Sequence, residues 1–361
     1  MTRRAAGAVL AALLLQAGCA PLEVRAPETR ERPPTVAATP PAPPATSRPP
    51  PPPRPPPESS YERLFPDFAA VVAREGDTFS SLAERYLGDA GMGWLIAEFN
   101  GLQTVGAGDA LVIPLAPFDP LGVSEESYQT VPVLCYHKFS KTTSDKMTVT
   151  ADAFGSQMRF LKVNGYQVIP LDRLFDFLAG KAQIPKKSVV VTIDDGWRST
   201  YEIAYPILRK YGYPATLFVY TDFVGGGGNA LTWEMIAELS RNGFDIQCHT
   251  RTHRNLSQIS RSESFNQYFE SLKREINEST RILKMHLKKE VRYLAYPYGD
   301  TNPLVVSLVS KAGYRGALTV QREGNPFFTP KYRVGRAIIY GTYDLQDFQN
   351  NLVVASDKAL K

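Results

Sequence analysis

Two short motifs carry the side chains that could do chemistry. The first places Asp194 and Asp195 directly after a run of β-branched residues, 189–193, which predicts a buried strand. The second holds His249 and His253, a four-residue spacing that would put both imidazoles on one face of a helical turn. One carboxylate and two imidazoles form a three-ligand site with open positions, as in catalytic zinc centres. The other carboxylate could then act as a base, so the motifs predict a metal-dependent hydrolase.

Each motif alone has a simpler interpretation. Two adjacent aspartates at a strand end often cap a helix or a turn, and paired histidines often lie at a surface or in a core. The chain has four histidines, and two of them share one motif that follows a second hydrophobic stretch, 244–248. This concentration favours the metal interpretation. His286 lies in the basic run 284–289 and is interpreted as part of a solvated helix end.

The N-terminus predicts export. Arg3 and Arg4 precede an apolar run that is too short to span a bilayer, and small residues then precede Cys19. This pattern is typical of a lipoprotein signal peptide, residues 1–18, with lipid attached to Cys19. Gln16 departs from this pattern, because the residue three positions before the lipidated cysteine is usually aliphatic. Ala20, directly after the cysteine, gives no signal for retention at the inner membrane. The sequence therefore predicts a lipoprotein anchored at the outer membrane and facing the periplasm.

Cysteine usage and charge narrow the function classes further. Strand alternation places Cys135 and His137 on one face, whereas Cys248 should point away from His249. The two thiols should therefore face different directions, which disfavours a disulfide. The net charge of +5 comes from scattered side chains without an aromatic-interleaved basic patch, so nucleic-acid binding is excluded.

The chain of 361 residues predicts two folded units and linkers. Residues 19–68 hold most of the proline and predict an extended, disordered tether. Residues 69–115 predict a small module with a strand near 71–73, a capping box from Ser81 to Glu84 that opens a helix, and a second helix at 94–99. An Asn100–Gly101 turn and a closing strand at 108–114 follow.

This order of elements resembles the LysM module in residues 76–78, 100–101 and 111–114, and departs from it in an insertion at 88–93. The resemblance implies a βααβ fold that binds N-acetylglucosamine-containing glycans such as peptidoglycan. The alternative is a module that only packs against its neighbour.

Beyond a linker at 116–130, residues 131–345 predict the larger domain, followed by a tail at 346–361. Apolar strands alternate there with amphipathic helices, which predicts a parallel α/β fold, open or closed into a barrel. The predicted strands are 131–134, 167–169, 189–193, 215–220, 244–247, 293–295 and 317–320, and the predicted helices are 154–164, 171–178, 201–211, 233–242, 264–283 and 303–312. Five candidates follow strand ends, where active residues of such folds lie: His137, Asp194, Asp195, His249 and Tyr298.

Three segments of this domain, 192–196, 249–253 and 296–299, resemble the NodB-homology polysaccharide deacetylases, carbohydrate esterase family 4. The resemblance extends from about residue 131 to about residue 340 and implies a distorted (β/α) barrel. It further implies a divalent metal, usually zinc, although such a donor set also accepts cobalt or nickel. Carried over residue by residue, Asp194 is the general base, and the metal ligands are Asp195, His249 and His253. Pro297 and Tyr298 would contact substrate, with a nearby backbone amide stabilising the oxyanion.

The chain departs from the family pattern in two places. Ala295 stands where many members have an arginine that positions the base, and Arg336 is the candidate replacement. No histidine follows His286, although many members take their general acid from that region. The opening segment 132–137 resembles a circularly permuted branch that includes poly-N-acetylglucosamine deacetylases, in which His137 would be the acid. The alternative for His137 is a buried histidine that bonds the loop after the first strand.

The sequence thus predicts a lipid-anchored, metal-dependent N-deacetylase of N-acetylglucosamine residues in an exopolysaccharide or in peptidoglycan. Two alternatives stay open. One is a non-catalytic, glycan-binding wall lipoprotein with a decayed barrel, and the other is an O-acetyl esterase that acts on an acetylated glycan.

Overall fold

The computed structural model describes residues 62–116, 119, 121–124 and 127–357, all within one compact unit, Ser59–Lys361. The predicted signal peptide, Cys19 and the proline-rich tether up to residue 61 lie outside the described residues. Within the described ranges, every helix is too short or too polar to cross a membrane.

A small module begins the described chain. Three strands, β1 (Glu62–Leu64), β2 (Phe68–Val72) and β3 (Ala110–Pro114), pair antiparallel in that order. Helices α1 (Phe79–Leu87) and α2 (Gly93–Asn100) pack on the sheet, and a 3-10 turn (Ala90–Met92) separates them. The predicted linker up to residue 68 was therefore wrong at its end, because β1 pairs with β2 there.

The first helix of the module starts earlier than predicted. Thr78 is its N-cap: its side chain accepts from the Ser81 N–H, and the Ser81 hydroxyl accepts from the Thr78 N–H. The capping box assigned to Ser81 and Glu84 was wrong, because Ser81 is the third residue of the helix. The Asn100–Gly101 turn is found as predicted, with Gly101 at φ 66°. The Asn100 side chain also bonds the backbone N–H and C=O of Val112, which joins α2 to β3.

The larger domain alternates strands and helices. Its strands are β4 (Tyr128–Gln129), β5 (Val133–Tyr136), β6 (Lys138–Ser140), β7 (Thr148–Thr150), β8 (Gln167–Val168), β9 (Ser188–Ile193), β10 (Thr216–Val219), β11 (Asp245–Cys248), β12 (Tyr293–Ala295), β13 (Gly316–Leu318), β14 (Ala337–Ile338) and β15 (Ala355–Ser356). Its helices are α3 (Ala151–Val163), α4 (Leu171–Leu178), α5 (Tyr205–Tyr211), α6 (Trp233–Arg241), α7 (Phe265–Leu287), α8 (Pro303–Lys311) and α9 (Leu345–Gln349), with a π-helical turn (Thr200–Ala204) directly before α5. The predicted elements are found, most with shifted ends, and the predicted strand 293–295 and helix 171–178 match β12 and α4 at both bounds.

Seven parallel strands form the main sheet, in the order β13-β12-β11-β10-β9-β5-β14, and β8 also pairs with β9. The sheet is curled. The segment 334–338 contacts strands at opposite sides of this sheet. Ala337 pairs with Leu134 of β5, and Val334 forms a parallel bridge with Leu318 of β13. The predicted α/β fold with a distorted barrel is confirmed.

Strand β9 shows why the sheet strands are apolar on both faces. Val189, Val191 and Ile193 belong to the large core between sheet and helices, whereas Val190 belongs to a smaller core with Phe218. Side chains alternate along a strand, so Asp194 continues the row of Val190 on the inner side of the curled sheet.

The predicted linker 116–130 and tail 346–361 were wrong in part. Strand β4, in the linker, pairs antiparallel with β15, in the tail, and α9 buries Phe348 against the domain. These short pairings between distant segments have no local hydrophobic pattern that would have predicted them.

Candidate metal centre and active site

The turn after β9 directs two adjacent carboxylates to different places. The Asp194 N–H donates to Tyr136 O at 2.8 Å, which continues the β5–β9 pairing by one residue. Asp195 then has φ 78° and Gly196 has φ 100°, so the backbone reverses sharply. Asp194 is consequently buried on the inner side of the sheet, and Asp195 lies at the rim, where it is partly exposed.

Three donor atoms converge at this rim. Asp195 Oδ1 lies 3.4 Å from His253 Nε2 and 3.6 Å from His249 Nε2. This oxygen is buried and has no hydrogen-bond partner within the described part of the chain. His249 Nδ1 lies 2.8 Å from Ala295 O, so it donates its N–H there and leaves the Nε2 lone pair directed at Asp195. A carboxylate and two imidazoles fit a divalent metal, as in catalytic zinc sites.

The loop that carries the two histidines is not helical. Strand β11 ends at Cys248, and both Thr250 and His253 have positive φ, 70° and 65°. The prediction of a helical turn was therefore wrong. The backbone N–H groups of Arg251 and Thr252 donate to Glu275 Oε2 at 3.0 and 2.9 Å, so a side-chain carboxylate holds the loop in place of helical carbonyls.

Glu275 is a residue that sequence reasoning missed. It lies in α7 and also accepts from the Thr252 hydroxyl at 2.7 Å, although it is only 5% exposed. Its neighbours on the buried stripe of α7 include Leu272 and Ile276. The sequence did offer a signal for Glu275, because a charged residue interrupts the apolar face of a helix there. A carboxylate on a buried face needs hydrogen-bond donors nearby.

Asp194 is held by a bidentate ion pair. Arg336 Nη1 lies 2.7 Å from Asp194 Oδ1, Nη2 lies 2.8 Å from Oδ2, and Arg336 Nε donates to Thr319 O. Both side chains are buried, at 0% and 1% exposure. Burial acts to raise the pKa of Asp194, but the guanidinium charge outweighs it and holds that pKa well below its usual range. The structure thus brings Arg336 to the predicted base, while Ala295 contributes only its carbonyl, to His249.

His137 lies beside the same carboxylate. Donor atoms of Cys135, His137 and Asp194 all lie within 4.8 Å of one another. His137 Nδ1 is buried and lacks a hydrogen-bond partner in the described ranges. Burial lowers the pKa of His137, although the nearby Asp194 and Asp195 oppose this. The site therefore has a titratable imidazole next to a carboxylate that stays ionised.

The cysteines face different directions, as predicted. Cys135 Sγ lies 3.5 Å from Asp194 Oδ2, whereas Cys248 Sγ lies 3.1 Å from the Ser279 hydroxyl in α7. Both thiols are free and buried.

The segment after β12 borders the site. Pro297–Gly299 forms one 3-10 turn in which Tyr298 has φ 61°. Tyr298 is 62% exposed, and its ring centroid lies 4.9 Å from that of the His253 ring. A Cβ at Gly299 would lie 2.3 Å from a Val320 methyl, so only glycine fits there. The Gly299 N–H already donates to Tyr296 O. The oxyanion donor near Tyr298 and a substrate role for Pro297 and Tyr298 stay predictions.

The chain is similar in sequence to known polysaccharide deacetylases. Residues 181–317 match the family model described as polysaccharide deacetylase. The chain is 28% identical over 194 residues to the poly-beta-1,6-N-acetyl-D-glucosamine N-deacetylase of Staphylococcus aureus (strain MRSA252), a match that covers 51% of this chain and 67% of the relative.

Solved structures show the same fold. The structure of IcaB from Ammonifex degensii is similar with a TM-score of 0.54 and 26% identity, over 61% of this chain and 94% of that one. The Streptococcus pyogenes deacetylase PplD in complex with acetate has a TM-score of 0.56 and 24% identity, over 62% and 98% of the two chains. The chain therefore carries a polysaccharide deacetylase domain of the NodB-homology type, carbohydrate esterase family 4, and is a hydrolase that acts on amides.

Proposed function

We propose that this protein is a metal-dependent N-deacetylase that removes acetyl groups from N-acetylglucosamine residues of a cell-envelope polysaccharide. The observation that carries the proposal is the convergence of Asp195, His249 and His253 beside an ionised Asp194. The relative from Staphylococcus aureus, whose name specifies N-deacetylation of poly-beta-1,6-N-acetyl-D-glucosamine, supports the same chemistry.

Asp195, His249 and His253 would hold the metal, which we propose to be zinc, with cobalt or nickel as alternatives. A divalent metal there would supply Lewis acidity toward water and toward the acetamide oxygen. Asp194 Oδ2 lies 3.7 Å from His249 Nε2, so it borders the space where the attacking water must sit. We therefore assign to Asp194 the removal of the water proton.

Arg336 would position this base in two ways. Its two hydrogen bonds fix the plane of the Asp194 carboxylate, because a guanidinium and a carboxylate match in a bidentate pair. Its charge also keeps Asp194 ionised, so the base needs no prior deprotonation at neutral pH. Arg336 thereby takes the place of the arginine that Ala295 replaces in the family motif.

His137 would serve as the general acid. Cleavage of an amide releases an amine, which leaves readily only when its nitrogen receives a proton. The His137 ring lies on the inner side of the sheet next to Asp194, where a proton can reach the reacting centre. The carboxylates of Asp194 and Asp195 favour the protonated ring, against the burial that lowers its pKa.

The first candidate substrate is a β-1,6-linked N-acetylglucosamine polymer, as in the name of the Staphylococcus aureus relative. Aromatic rings flank the proposed centre: those of Tyr220 and Tyr298 lie 5.1 and 4.9 Å from the His253 ring, and binding sites commonly use such apolar faces. Peptidoglycan is the second candidate, favoured by the LysM-like order of elements in residues 69–115. In this proposal the small module binds N-acetylglucosamine glycans and brings the barrel to them.

Export and lipid attachment at Cys19 are part of the proposal and rest on the sequence pattern alone. The protein would then act in the cell envelope, at an outer membrane facing the periplasm. A Cys19→Ser variant should leave the membrane fraction and appear among soluble envelope proteins, whereas an unchanged distribution would contradict lipid anchoring.

Acetate release is the decisive experiment. The purified protein would be incubated with β-1,6-linked N-acetylglucosamine oligomers, with peptidoglycan and with an O-acetylated glycan, after chelation and again after zinc addition. We expect acetate release that chelation abolishes and added zinc restores. The Asp194→Asn variant should release no acetate under either condition. A matched control is His286→Gln, because that ring stacks on Trp233 away from the site.

The outcomes separate the candidate functions. The preferred N-acetylated polymer identifies the substrate, and release from the O-acetylated glycan alone would favour an esterase. Absence of release with glycan binding retained would favour the non-catalytic alternative.

A further inference from the structure

The indole of Trp197 contacts a carboxylate that we assign to the metal. Its Nε1–H donates to Asp195 Oδ2 at 2.9 Å. The other oxygen, Asp195 Oδ1, is the one that faces His249 and His253 without a hydrogen bond in the described ranges. The indole therefore occupies one carboxylate oxygen and leaves a single oxygen directed at the two imidazoles.

The surrounding contacts hold this indole in place. The Phe223 ring packs against it edge to face, with centroids 4.9 Å apart at 70°. The Lys138 ammonium lies over its face, 4.9 Å from the ring centroid. Its backbone forms an antiparallel bridge with Ala230, and the next residue, Arg198, donates its N–H to Asn229 O. The donor is therefore fixed relative to the turn that carries Asp195.

Packing alone does not require an indole at this position. A phenylalanine ring could fill much of the same space against Phe223 and the Lys138 stem, but it has no N–H to offer Asp195. The polar edge of the ring is directed at one of the three convergent donor residues. This orientation indicates a role in the metal centre beyond filling space.

We propose that Trp197 is a positioning residue of the metal centre, which holds Asp195 so that it offers one oxygen, Oδ1, to the metal. The proposal rests on the function proposed above, in which Asp195, His249 and His253 bind the metal. Residues that orient metal ligands in this way typically change metal affinity or activity by about 10–100-fold when they are replaced. Without the indole donor, the Asp195 carboxylate could rotate away from the imidazoles.

The test measures zinc affinity directly, by competition with a chromophoric chelator, on the purified full chain. Trp197→Phe removes the donor and keeps a ring. We expect its zinc affinity to fall about 10–100-fold. Trp233→Phe is the matched control, since Trp233 stacks on His286 at a centroid distance of 3.8 Å, and it should bind zinc as tightly as the unmodified protein.

The outcomes distinguish this inference from the proposed function. Zinc binding by the unmodified protein together with equal affinity in Trp197→Phe would overturn the inference alone. Absence of zinc binding in the unmodified protein would overturn both. A higher KM for glycan at unchanged zinc affinity would identify Trp197 as a substrate contact, which also overturns the positioning role.

A second measurement observes the response of Trp197 to zinc in the protein that keeps all its tryptophans. The chain has three tryptophans, and 5-fluorotryptophan labelling gives each its own fluorine resonance. Addition of zinc should shift the Trp197 resonance and leave those of Trp94 and Trp233 in place, with assignment by single Phe variants. A Trp197 resonance that does not respond to saturating zinc would refute the proposed contact.

Discussion

Replacement of Arg336 by methionine should destabilise the domain more than any surface ion-pair change. The side chains of Arg336 and Asp194 are 0% and 1% exposed, and two hydrogen bonds of 2.7 and 2.8 Å join them. Removal of one partner from a buried pair leaves the other charge without compensation, which destabilises by about 3–5 kcal/mol. We expect Arg336→Met to lose stability of this size at pH 7.

The loss should depend on pH in a defined direction. In the unmodified protein the pKa of Asp194 is lowered, so the stability it contributes is present above its unfolded value of about 3.9 and disappears as the pH falls through the folded value. Arg336→Met removes the largest charge that lowers the pKa of Asp194. Burial then raises this pKa against only His249 and His137, so the variant loses stability as the pH rises above about 4. The difference between the two proteins should therefore be smaller at pH 4 than at pH 7.

The assay is urea unfolding at pH 4, 5, 6 and 7 in the presence of a chelator, which removes any metal contribution. Arg251→Met is the matched control, because its partners Asp222 and Glu278 are about as exposed as Arg251 itself. An exposed pair contributes about 0–1 kcal/mol, so this control should change little.

Two results would refute the reasoning. The first is a loss in Arg336→Met that is as large at pH 4 as at pH 7, which would indicate lost packing instead of an uncompensated charge. The second concerns the double variant Asp194→Asn/Arg336→Met, which removes both charges. It should be more stable than the sum of the single losses implies, and strict additivity would show that the two side chains are not coupled.

Three further predictions concern the site. His137→Gln should lower kcat about 10²–10⁴-fold with zinc affinity unchanged, and a parallel loss of zinc would instead make His137 a metal ligand. Glu275→Met removes the acceptor of two backbone N–H groups of the histidine loop and should destabilise by at least about 1–3 kcal/mol in urea unfolding, whereas the exposed Glu270→Met should not. Zinc at about 100 times its Kd should stabilise the protein by ~2.7 kcal/mol in thermal unfolding, and His249→Gln should lose this gain.

Much of the larger domain could be predicted from local sequence. The run 189–193 is apolar at every position because β9 is buried on both faces, and it identified a central strand without any tertiary information. Alternation along strands also placed Cys135 and His137 on one face and Cys248 on another. Asp194, Asp195, His249 and His253 were recognisable because each motif is short and directly follows a strand.

Tertiary structure alone decided how these residues are held. Arg336 reaches Asp194 across 142 positions of sequence, and it does so because the curled sheet pairs β14 with β5 beside β9. The conformation of the histidine loop depends on Glu275, whose carboxylate comes from a helix far along the chain.

The short antiparallel strand pairs outside the main sheet could not be predicted from the sequence either. Strand β1 pairs with β2, and β4 pairs with β15, through segments of two or three residues that are too short for a periodic pattern. Local patterns report which face of an element is buried, because burial selects side chains along the element itself. They do not report which distant donor meets a carboxylate, because that depends on how the elements close around the site.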